Sequence, residues 1–438
     1  MRGAYDEALA LLRDALTFGI HPSLDAITAM ADELGRPQDA FVSIQVTGTN
    51  GKSSTARLIA ALLAAHGLRT GLYTSPELHD YTERIEIDGE PITRDQFAEA
   101  IFAARDAAAA CNVSATEFEL LTAAALWQFR QSGVRVAVLE VGMGGRWDAT
   151  SVVSPTVAVI TGVGIDHAAH LGTTREQIAF DKAHIIKQNS VAVLGPGTVG
   201  VEQVLLERAQ AMRAQVRAVR PHGDQTPVVE GLTVRYAVQS RPTAPDDPVR
   251  FDIEGTHVPY ADVALTAPAY QVANAATAVS AAEAFLGRAL EPAALAATFA
   301  AIRLPGRFEI LAREPWVIAD GAHNPEAAAT LAAAVHDAWP DSTLRPVALL
   351  GVLADKDAEG IIAALAPAVS GFVCVAPDSP RALPAAALAA VVERVTGERP
   401  RATEDSVAHA LEELMAMGRN TLVTGSLRTV AEAAPAIC

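Results

Sequence analysis

The residues best suited to bind a phosphate group lie in the sequence Thr-Gly-Thr-Asn-Gly-Lys-Ser-Ser, which spans positions 47–54. A glycine-bracketed turn between a β-branched run and an alanine- and leucine-rich helix places backbone N–H groups and the positive helix end around one point. Lys52 can reach a terminal phosphate, and Ser53 or Ser54 can offer a hydroxyl to phosphate or magnesium. The predicted nucleotide-binding residues here are Gly48, Thr49, Asn50, Gly51, Lys52, Ser53 and Ser54.

The spacing of this loop differs from the usual G-x-x-x-x-G-K-[ST] pattern, because position 46 is valine rather than glycine. An ordinary strand-to-helix turn that contains two glycines is the structural alternative. Gly-Lys-Ser at the end of a predicted strand favours a nucleotide site over that alternative.

Carboxylate and imidazole groups follow two other predicted strands. Glu140 ends the apolar run 134–139, which is typical of a strand buried on both faces. A charge there is costly without a cation opposite, so a Mg²⁺ ligand is favoured over a helix cap or an ion pair with Arg146. His167 could be a hydrogen-bonded core histidine, but its place at the same sheet edge favours a metal or phosphate contact. Lys182 alone is typical of a solvated helix lysine.

Two further groups of polar residues could have a purely structural role. Thr116 and Glu119 have the spacing of a capping box at a helix N-terminus. Asp320 could cap the helix that Pro325 begins. An Asp and a His at one strand end are also typical of an active site, so Asp320 and His323 are candidates for chemistry.

The composition limits the possible functions. The chain has 438 residues, which predicts two or three domains, and half of them are apolar. A net charge of −17 without a lysine-rich tract argues against nucleic-acid or anionic-membrane partners. Three distant cysteines suggest neither a disulfide framework nor a zinc site. Without a membrane span or signal segment, we expect a cytoplasmic protein.

Strands that alternate with helices predict an α/β fold with a doubly wound parallel sheet, whose ligands collect at the carboxyl ends of the strands. The phosphate loop, Glu140 and His167 all follow predicted strands, so they should converge on one edge. A smaller α/β unit is expected beyond the boundary near Leu304. The other predictions are helices in 1–40 with a break at 19–23, strands at 40–47, 69–74, 134–140 and 156–161, loops with short strands over 217–256, and a helix over 269–286.

Together these blocks resemble the dihydrofolate synthase/folylpolyglutamate synthase branch of the Mur ligase superfamily. The matching segments are V-T-G-T-N-G-K-S, Y-T-S-P-E-L, Y-T-E-R-I, T-E-F-E, L-E-V-G-M-G-G-R-W-D-A-T, D-H, D-K-A, L-P-G-R-F-E, D-G-A-H-N-P and T-G-S-L. They run in order from about Ile20 to Arg428. Four positions depart from the family pattern and bear on the choice of substrate or on the loop: Ser53, Glu77, Trp147 and His184.

The resemblance implies a role for each matching residue. The implied catalytic residues are Lys52, Lys182, Asp320 and His323. Asn274, Arg307 and Asp320 would contact ATP across a domain cleft. Magnesium would be held by Ser75, Glu140, His167 and, if carbamylated, Lys182. The acceptor and the incoming glutamate would be held by Ile20, His21, Pro22, Arg84, Thr116, Glu117, Phe118, Glu119, Trp147, Asp148, Ala149 and Ser426.

The implied reaction joins L-glutamate to dihydropteroate, to a reduced folate, or to both, through an acyl phosphate and with release of ADP and phosphate. ATP and one or two Mg²⁺ ions would be required, with a monovalent cation as an option. The resemblance also implies a P-loop-type central domain at 1–303, a Rossmann-like C-terminal ligase domain at 304–438, and a monomer. Two alternatives stay open: a Mur-like ligase for another carboxylate, and a P-loop protein that binds nucleotide to regulate a partner without ligation.

Overall fold

The computed structural model describes residues 3–16, 22–224 and 231–437. Among these residues, no helix is both long and apolar enough to cross a membrane. The chain divides into two compact units. The first runs to Ala237 and adds Asp252–Val263 and Ala273–Phe299, whereas the second takes Val238–Phe251, Ala264–Val272 and the chain from Ala300 onward.

The elements before residue 302 combine strands and helices, and in the described part of the chain the last four of these strands follow one another without a helix between them. The helices are α1 (Ala4–Ala15), α2 (Asp25–Glu33), α3 (Lys52–Ala65), α4 (Arg94–Ala110), α5 (Glu117–Gln131), α6 (Ala168–Leu171), α7 (Arg175–Lys182), α8 (Glu202–Ala211), α9 (Gln271–Leu286) and α10 (Pro292–Ala301). The strands are β1 (Val42–Thr47), β2 (Thr70–Tyr73), β3 (Ile85–Ile87), β4 (Glu90–Pro91), β5 (Val136–Glu140), β6 (Val157–Gly162), β7 (Val191–Gly197), β8 (Gln215–Pro221), β9 (Leu232–Ser240), β10 (Val249–Glu254) and β11 (Pro259–Leu265).

These strands form one large sheet in the order β11-β10-β9-β8-β7-β6-β1-β5-β2-β3-β4. The central pairs are parallel, and β1 lies between β5 and β6. Their carboxyl ends therefore share one edge, where ligands of doubly wound sheets bind. The side chains of β5 and β6 are buried and mostly apolar, and the polar Glu140 is the last residue of β5 at that edge.

Helices cover the large sheet with two separate apolar clusters. One cluster packs α1, α4 and α5 against Tyr73 of β2 and Leu139 of β5. The other packs α7 and α8 against Ala158 and Ile160 of β6. The predicted doubly wound α/β fold is confirmed.

The second unit contains a smaller sheet in the order β12-β13-β17-β14-β15-β16. All of its neighbouring pairs are parallel except β12 with β13. Its elements are β12 (Glu309–Arg313), β13 (Trp316–Asp320), α11 (Pro325–Ala338), β14 (Val347–Leu350), α12 (Ala358–Leu365), β15 (Phe372–Val375), α13 (Ala385–Thr396), β16 (Ala402–Glu404), α14 (Val407–Ala416), β17 (Thr421–Thr424) and α15 (Leu427–Ala433). The predicted domain bounds, 1–303 and 304–438, stay a prediction.

The prediction of loops with short strands over 217–256 is right about the presence of strands and loops but underestimates the length of the strands. Strands β8, β9 and β10 are six to nine residues long and extend the large sheet. In β10 every second residue is buried, at Val249, Phe251 and Ile253. Proline and polar residues lie in the connection between β9 and β10, so the composition of the whole segment concealed this alternation.

Helix α1 is tied to the segment that follows β2. Tyr5 donates a hydrogen bond from its hydroxyl to Asp80 (2.6 Å), and Arg94 forms an ion pair with the same carboxylate (2.7 Å). Burial raises the pKa of Asp80, but these donors and the amide and hydroxyl of Thr82 outweigh it and lower the value to about 2. This carboxylate therefore stabilises the fold in its ionised form.

Candidate active site

The phosphate loop leaves β1 and enters α3 through two glycines with positive φ, Gly48 (157°) and Gly51 (82°). A Cβ at Gly48 would overlap the Thr161 hydroxyl, and one at Gly51 would overlap the Asn274 amide. These two positions therefore require glycine. Asn274, a predicted ATP contact, thus packs against the phosphate loop.

Strand β6 holds the phosphate loop in place. Thr161 donates from its hydroxyl to the carbonyl of Asn50 (2.6 Å). Thr49 donates its hydroxyl to the carbonyl of Gly164 and accepts from the amide of the same residue (3.1 and 2.9 Å). The loop after β6 is thereby joined to the loop after β1, which confirms that these two segments converge.

Two lysine ammonium groups meet at the carbonyl of Gly48. Lys52 donates to it at 3.1 Å and to Thr49 at 3.2 Å, and Lys182 donates to it at 2.9 Å. Lys182 is only 3% exposed, so the reading as a solvated lysine is wrong. Burial, followed by the charge of Lys52, lowers the pKa of Lys182 to about 7. Lys52 therefore attracts an anion as a full cation, whereas Lys182 is only partly protonated at neutral pH.

Glu140 lies beside the start of α3. Its carboxylate accepts from the hydroxyl of Ser53 (2.8 Å) and from the amide of Ser75 (3.2 Å), and it is 1% exposed. Ser54, by contrast, is buried on α3. The ion pair of Glu140 with Arg146 is not observed, because the Arg146 guanidinium instead stacks over the ring of Trp147.

The donor set at Glu140 suits Mg²⁺, which binds proteins through one or two carboxylates and completes its shell with phosphate oxygens and water. Ser53 brings its hydroxyl group to this carboxylate, and Ser75 brings its backbone amide. Among the residues described, no three His, Cys, Asp or Glu side chains are grouped as a metal site. An ion here would therefore take several ligands from outside the protein.

His167 lines one small cavity together with both lysines. The cavity is bounded by Gly48, Thr49, Lys52, Gly142, Met143, Gly144, Asp166, His167, Leu171 and Lys182. His167 has a positive φ of 51°, and its ring lies 3.8 Å from the Asp166 carboxylate. The phosphate loop and the loops after β5 and β6 thus surround one space, as the three-strand convergence predicts.

The loop after β5 links this cavity to the predicted acceptor residues. A Cβ at Gly142 would lie 2.7 Å from the ring of Phe118, so this aromatic side chain packs on the cavity lining. Asp148 accepts from the amide of Met143 (3.0 Å) and from Thr150. Burial raises the pKa of Asp148 despite these donors. Ala149 is buried beside it.

The other predicted acceptor residues have structural partners. Thr116 and Glu119 form the predicted capping box of α5. Glu117 accepts from the Tyr81 hydroxyl (2.8 Å). Arg84 is buried and forms an ion pair with Glu77 (2.5 Å), so the departure at position 77 places a carboxylate on Arg84. Among the remaining acceptor positions, Pro22 is exposed, and Ile20 and His21 lie outside the described residues.

In the second unit, Asp320 ends β13 with both carboxylate oxygens occupied. It accepts from the Tyr270 hydroxyl (2.9 Å), from the Phe308 amide (2.8 Å) and from the Ala322 amide (2.9 Å). Burial raises its pKa, and the charge of Arg307 opposes that rise. Asp320 is not the cap of α11, because Asn324 caps that helix and Pro325 begins it.

The two remaining predicted residues lie near strand ends of the same unit. His323 contacts the carbonyl of Gly321 through Nδ1 (2.8 Å). Ser426 caps α15 by accepting from the amide of Thr429 (3.1 Å). A side chain on Gly321 would meet Leu427 and Arg307, so the segments that follow β13 and β17 are closely packed.

Sequence reasoning missed several residues that position the site. Thr47 donates to the Gly144 carbonyl (2.6 Å), and Thr161 supports Asn50. Thr47 is the last residue of β1 and Thr161 the next-to-last residue of β6, and a threonine at a strand end is a usable sequence signal at a ligand-binding edge. Tyr270 carries no such signal, because only the folded second unit brings it to Asp320.

Comparison with known proteins places this geometry in a family. Residues 46–196 match the Mur ligase middle domain, and residues 306–427 match the Mur ligase glutamate ligase domain. A dihydrofolate synthase/folylpolyglutamate synthase of Mycobacterium tuberculosis is 39% identical over 409 residues, which are 88% of this chain and 81% of the relative. The chain belongs to the dihydrofolate synthase/folylpolyglutamate synthase family. Its members are ATP-dependent ligases.

Solved structures of this family agree in fold over the whole chain. The M. tuberculosis folylpolyglutamate synthase complexed with ADP has a TM-score of 0.89, 36% identity, and covers 99% of this chain and 98% of its own. E. coli FolC in complex with DHPP and ADP has a TM-score of 0.87, 30% identity and coverages of 100% and 99%. A family member with Mn, AMPPNP and L-glutamate bound has a TM-score of 0.83, 28% identity and coverages of 99% and 98%.

Proposed function

We propose that this protein joins L-glutamate to the carboxylate of a pteroyl acceptor, which is dihydropteroate, a reduced folate, or both. ATP would activate the carboxylate as an acyl phosphate, and the glutamate amine would then displace phosphate. The observation that carries this proposal is the meeting of Lys52 and Lys182 at the Gly48 carbonyl, beside the buried carboxylate of Glu140. Relatives solved with ADP, with DHPP and with L-glutamate support the same substrates.

The residues of the first unit would bind and orient the phosphates. The N–H groups of the phosphate loop and the start of α3 would hold the phosphate chain. Lys52 would exchange its carbonyl partners for phosphate oxygens, which accept more strongly. Positioning and charge neutralisation supply most of the catalysis in phosphoryl transfer, and that is what this loop offers.

The metal part of the proposal concerns Glu140, Ser53, Ser75 and His167. A bound Mg²⁺ would supply neutralisation of the charge on the transferring phosphoryl group. Glu140 would provide the carboxylate, with hydroxyl groups from the serines. Carbamylation of Lys182 would turn a cation into an anion and so make a second ligand. The lowered pKa of Lys182 supports this, because only the neutral amine reacts with carbon dioxide.

Residues outside the phosphate loop and the metal site would bind the acceptor, ATP and the incoming glutamate. We propose that Phe118 and Asp148, which adjoin the cavity lining, hold the acceptor. In the second unit, Asp320 and Arg307 would contact ATP, and His323 and Ser426 the incoming glutamate. The monomeric state and the cytoplasmic location stay predictions.

The test is a mass-spectrometric product assay on the purified protein with ATP, Mg²⁺ and L-glutamate, offering dihydropteroate and tetrahydrofolate separately. A product heavier by one glutamyl unit is expected, and ADP should be released only when acceptor and amine are both present. Glu140→Gln should abolish the product with an unchanged circular dichroism spectrum, whereas the surface variant Glu413→Gln should leave it unchanged. An unchanged rate in Glu140→Gln would remove Glu140 from the metal site.

Nucleotide-dependent capture of a partner without an amide product would instead support the regulatory alternative. A glutamylated product from another carboxylate, with both pteroyl acceptors inert, would support the alternative ligase.

A further inference from the structure

An exposed group of stacked side chains lies beside the cavity. The guanidinium of Arg146 is 4.7 Å from the ring centroid of Trp147 and 5.9 Å from that of Phe180. Phe180 in turn packs edge-on against the ring of His184, with centroids 4.9 Å apart. Trp147 is 43% exposed and Phe180 is 53% exposed, so solvent reaches this group, which we call the Arg146 stack.

The Arg146 guanidinium has an open hydrogen-bonding edge. The aromatic rings contact the face of the guanidinium and do not accept hydrogen bonds from the N–H groups at its edge. Within the described part of the chain, no carboxylate forms an ion pair with this side chain, although the protein carries a net charge of −17. A planar guanidinium held by aromatic faces, with its fork exposed, is the geometry that binds a carboxylate in two hydrogen bonds.

Other charged groups lie around the stack. Burial lowers the pKa of Lys187, and the nearby charge of Arg208 lowers it further. The carboxylate of Asp181, which accepts from the amide of Arg146, is the acidic group next to the stack. Arg146, Arg208 and Lys187 place three cationic side chains against that carboxylate, and this balance favours an anionic ligand.

The Arg146 stack is fixed relative to the phosphate cavity. The amide of Arg146 donates to Asp181 (3.2 Å), the residue before Lys182. A Cβ at Gly145 would lie 3.0 Å from the carbonyl of Lys182, so the loop after β5 packs directly on the end of α7. Gly144, two residues before Arg146, lines the cavity itself.

We infer that Arg146 binds the α-carboxylate of a glutamyl acceptor, an inference that rests on the proposed function. In a glutamyl unit, the α-carboxyl carbon lies at most about 5 Å from the γ-carboxyl carbon, a span of four single bonds. The γ-carboxylate must reach the phosphate cavity to be activated. Its α-carboxylate then falls within the reach of an arginine anchored two residues from the cavity lining. Dihydropteroate has no such second carboxylate, so Arg146 acts as a specificity determinant for glutamylated acceptors.

Equilibrium binding to three acceptors tests this role. Isothermal titration in the presence of Mg²⁺ and AMPPNP would use dihydropteroate, tetrahydropteroylmonoglutamate and tetrahydropteroyltriglutamate. Arg146→Gln should weaken binding of both glutamylated acceptors by about tenfold or more and change that of dihydropteroate by less than about twofold. Arg146→Lys should restore part of the affinity, since it keeps the charge but loses the planar fork.

A matched control and a second variant separate charge from stacking. Arg399→Gln removes one positive charge from a side chain that is 86% exposed and paired only with Glu393, so all three affinities should be unchanged. Trp147→Leu keeps the guanidinium but removes its main ring, and it should weaken the glutamylated acceptors by a smaller factor than Arg146→Gln. Loss of dihydropteroate binding in Trp147→Leu would show that the ring stacks on the pteroyl group instead, and would overturn the assignment.

The remaining outcomes distinguish this inference from the proposed function. Equal weakening of all three acceptors in Arg146→Gln, or no weakening at all, would overturn the inference while leaving the function intact. So would a wild-type protein that binds dihydropteroate but neither glutamylated acceptor. A wild-type protein that binds no pteroyl compound and makes no amide would overturn the proposed function itself.

Discussion

Lys182 should destabilise the nucleotide-free protein at neutral and acidic pH. Its pKa falls from 10.5 to about 7 because the amine is buried and lies near Lys52. The unfolded chain therefore binds more protons than the folded one between pH 7 and pH 10.5. Since the free energy of unfolding rises with pH wherever the unfolded state binds more protons, stability should increase across this window and be lowest below pH 7.

The size of the effect follows from the shift. A change of 3.5 units, from 10.5 to about 7, corresponds to about 5 kcal/mol for the fully charged amine. Lys182→Met keeps the length of the side chain without its charge, at a cost of about 1 kcal/mol for the lost hydrogen bond to Gly48. The variant should therefore be more stable than wild type by about 4 kcal/mol at pH 6 and within about 1 kcal/mol of it at pH 9.5.

The assay measures the free energy of unfolding by urea titration in bicarbonate-free, nucleotide-free buffer at pH 6, 8 and 9.5. Hydrogen exchange of peptides from β5 and β6 then gives the local stability of the sheet under the same conditions. Lys187→Met is the matched control. Lys187 is only half-buried, and burial lowers its pKa as well, so its variant should show the same trend with a smaller amplitude. A Lys182→Met protein that is less stable than wild type at pH 6, or whose gain does not change with pH, would refute the reasoning. The same variant should make no amide product, which separates loss of chemistry from loss of fold.

Three further predictions concern backbone and charge. Gly51→Ala should lower the free energy of unfolding by at least about 1 kcal/mol and raise the KM for ATP, because φ at this position is 82° and Asn274 fills the space for a Cβ. An unchanged KM in an assay of coupled ADP release would contradict this. Asp80→Asn should lower the free energy of unfolding by about 1 kcal/mol at pH 7, because solvent screens part of the effect of the carboxylate. The folded-state pKa of Asp80 is about 2, so the difference from wild type in thermal melts should vanish as the pH falls from 4 to 2. Tyr270→Phe removes a hydrogen bond that favours the ionised form of Asp320, so it should raise the pKa of that carboxyl and move the acid limb of the kcat/KM profile for ATP to higher pH. An acid limb at the wild-type pH would exclude this role.

Local sequence patterns predicted much of the fold. Apolar runs and turn residues located β1, β5 and β6, and the parallel sheet then required their carboxyl ends to meet. The length of the strands over 217–256 was underestimated for a physical reason, because averaging the composition over the segment hid the alternation of β10 behind a polar connection. Strand assignment works where burial dominates a whole segment and fails where one buried face alternates with one exposed face.

The residues of the candidate site were likewise predicted only in part. Motif spacing identified Lys52 and Glu140, whose partners lie on adjacent strands. It could not identify Tyr270, whose hydroxyl donates to Asp320, 50 residues later in the chain. Nor could it show that Lys182 is buried, since eight helical residues of polar composition indicate an exposed surface. Long-range contacts such as these exist only in the folded protein.

The most direct test of the account is anomalous diffraction at the manganese edge from crystals grown with AMPPNP and Mn²⁺. The account predicts a manganese peak within coordination distance of the Glu140 carboxylate, with phosphate oxygens held by the N–H groups of residues 48–52 and by Lys52. Nucleotide phosphates bound elsewhere, or a manganese ion without a contact to Glu140, would contradict it.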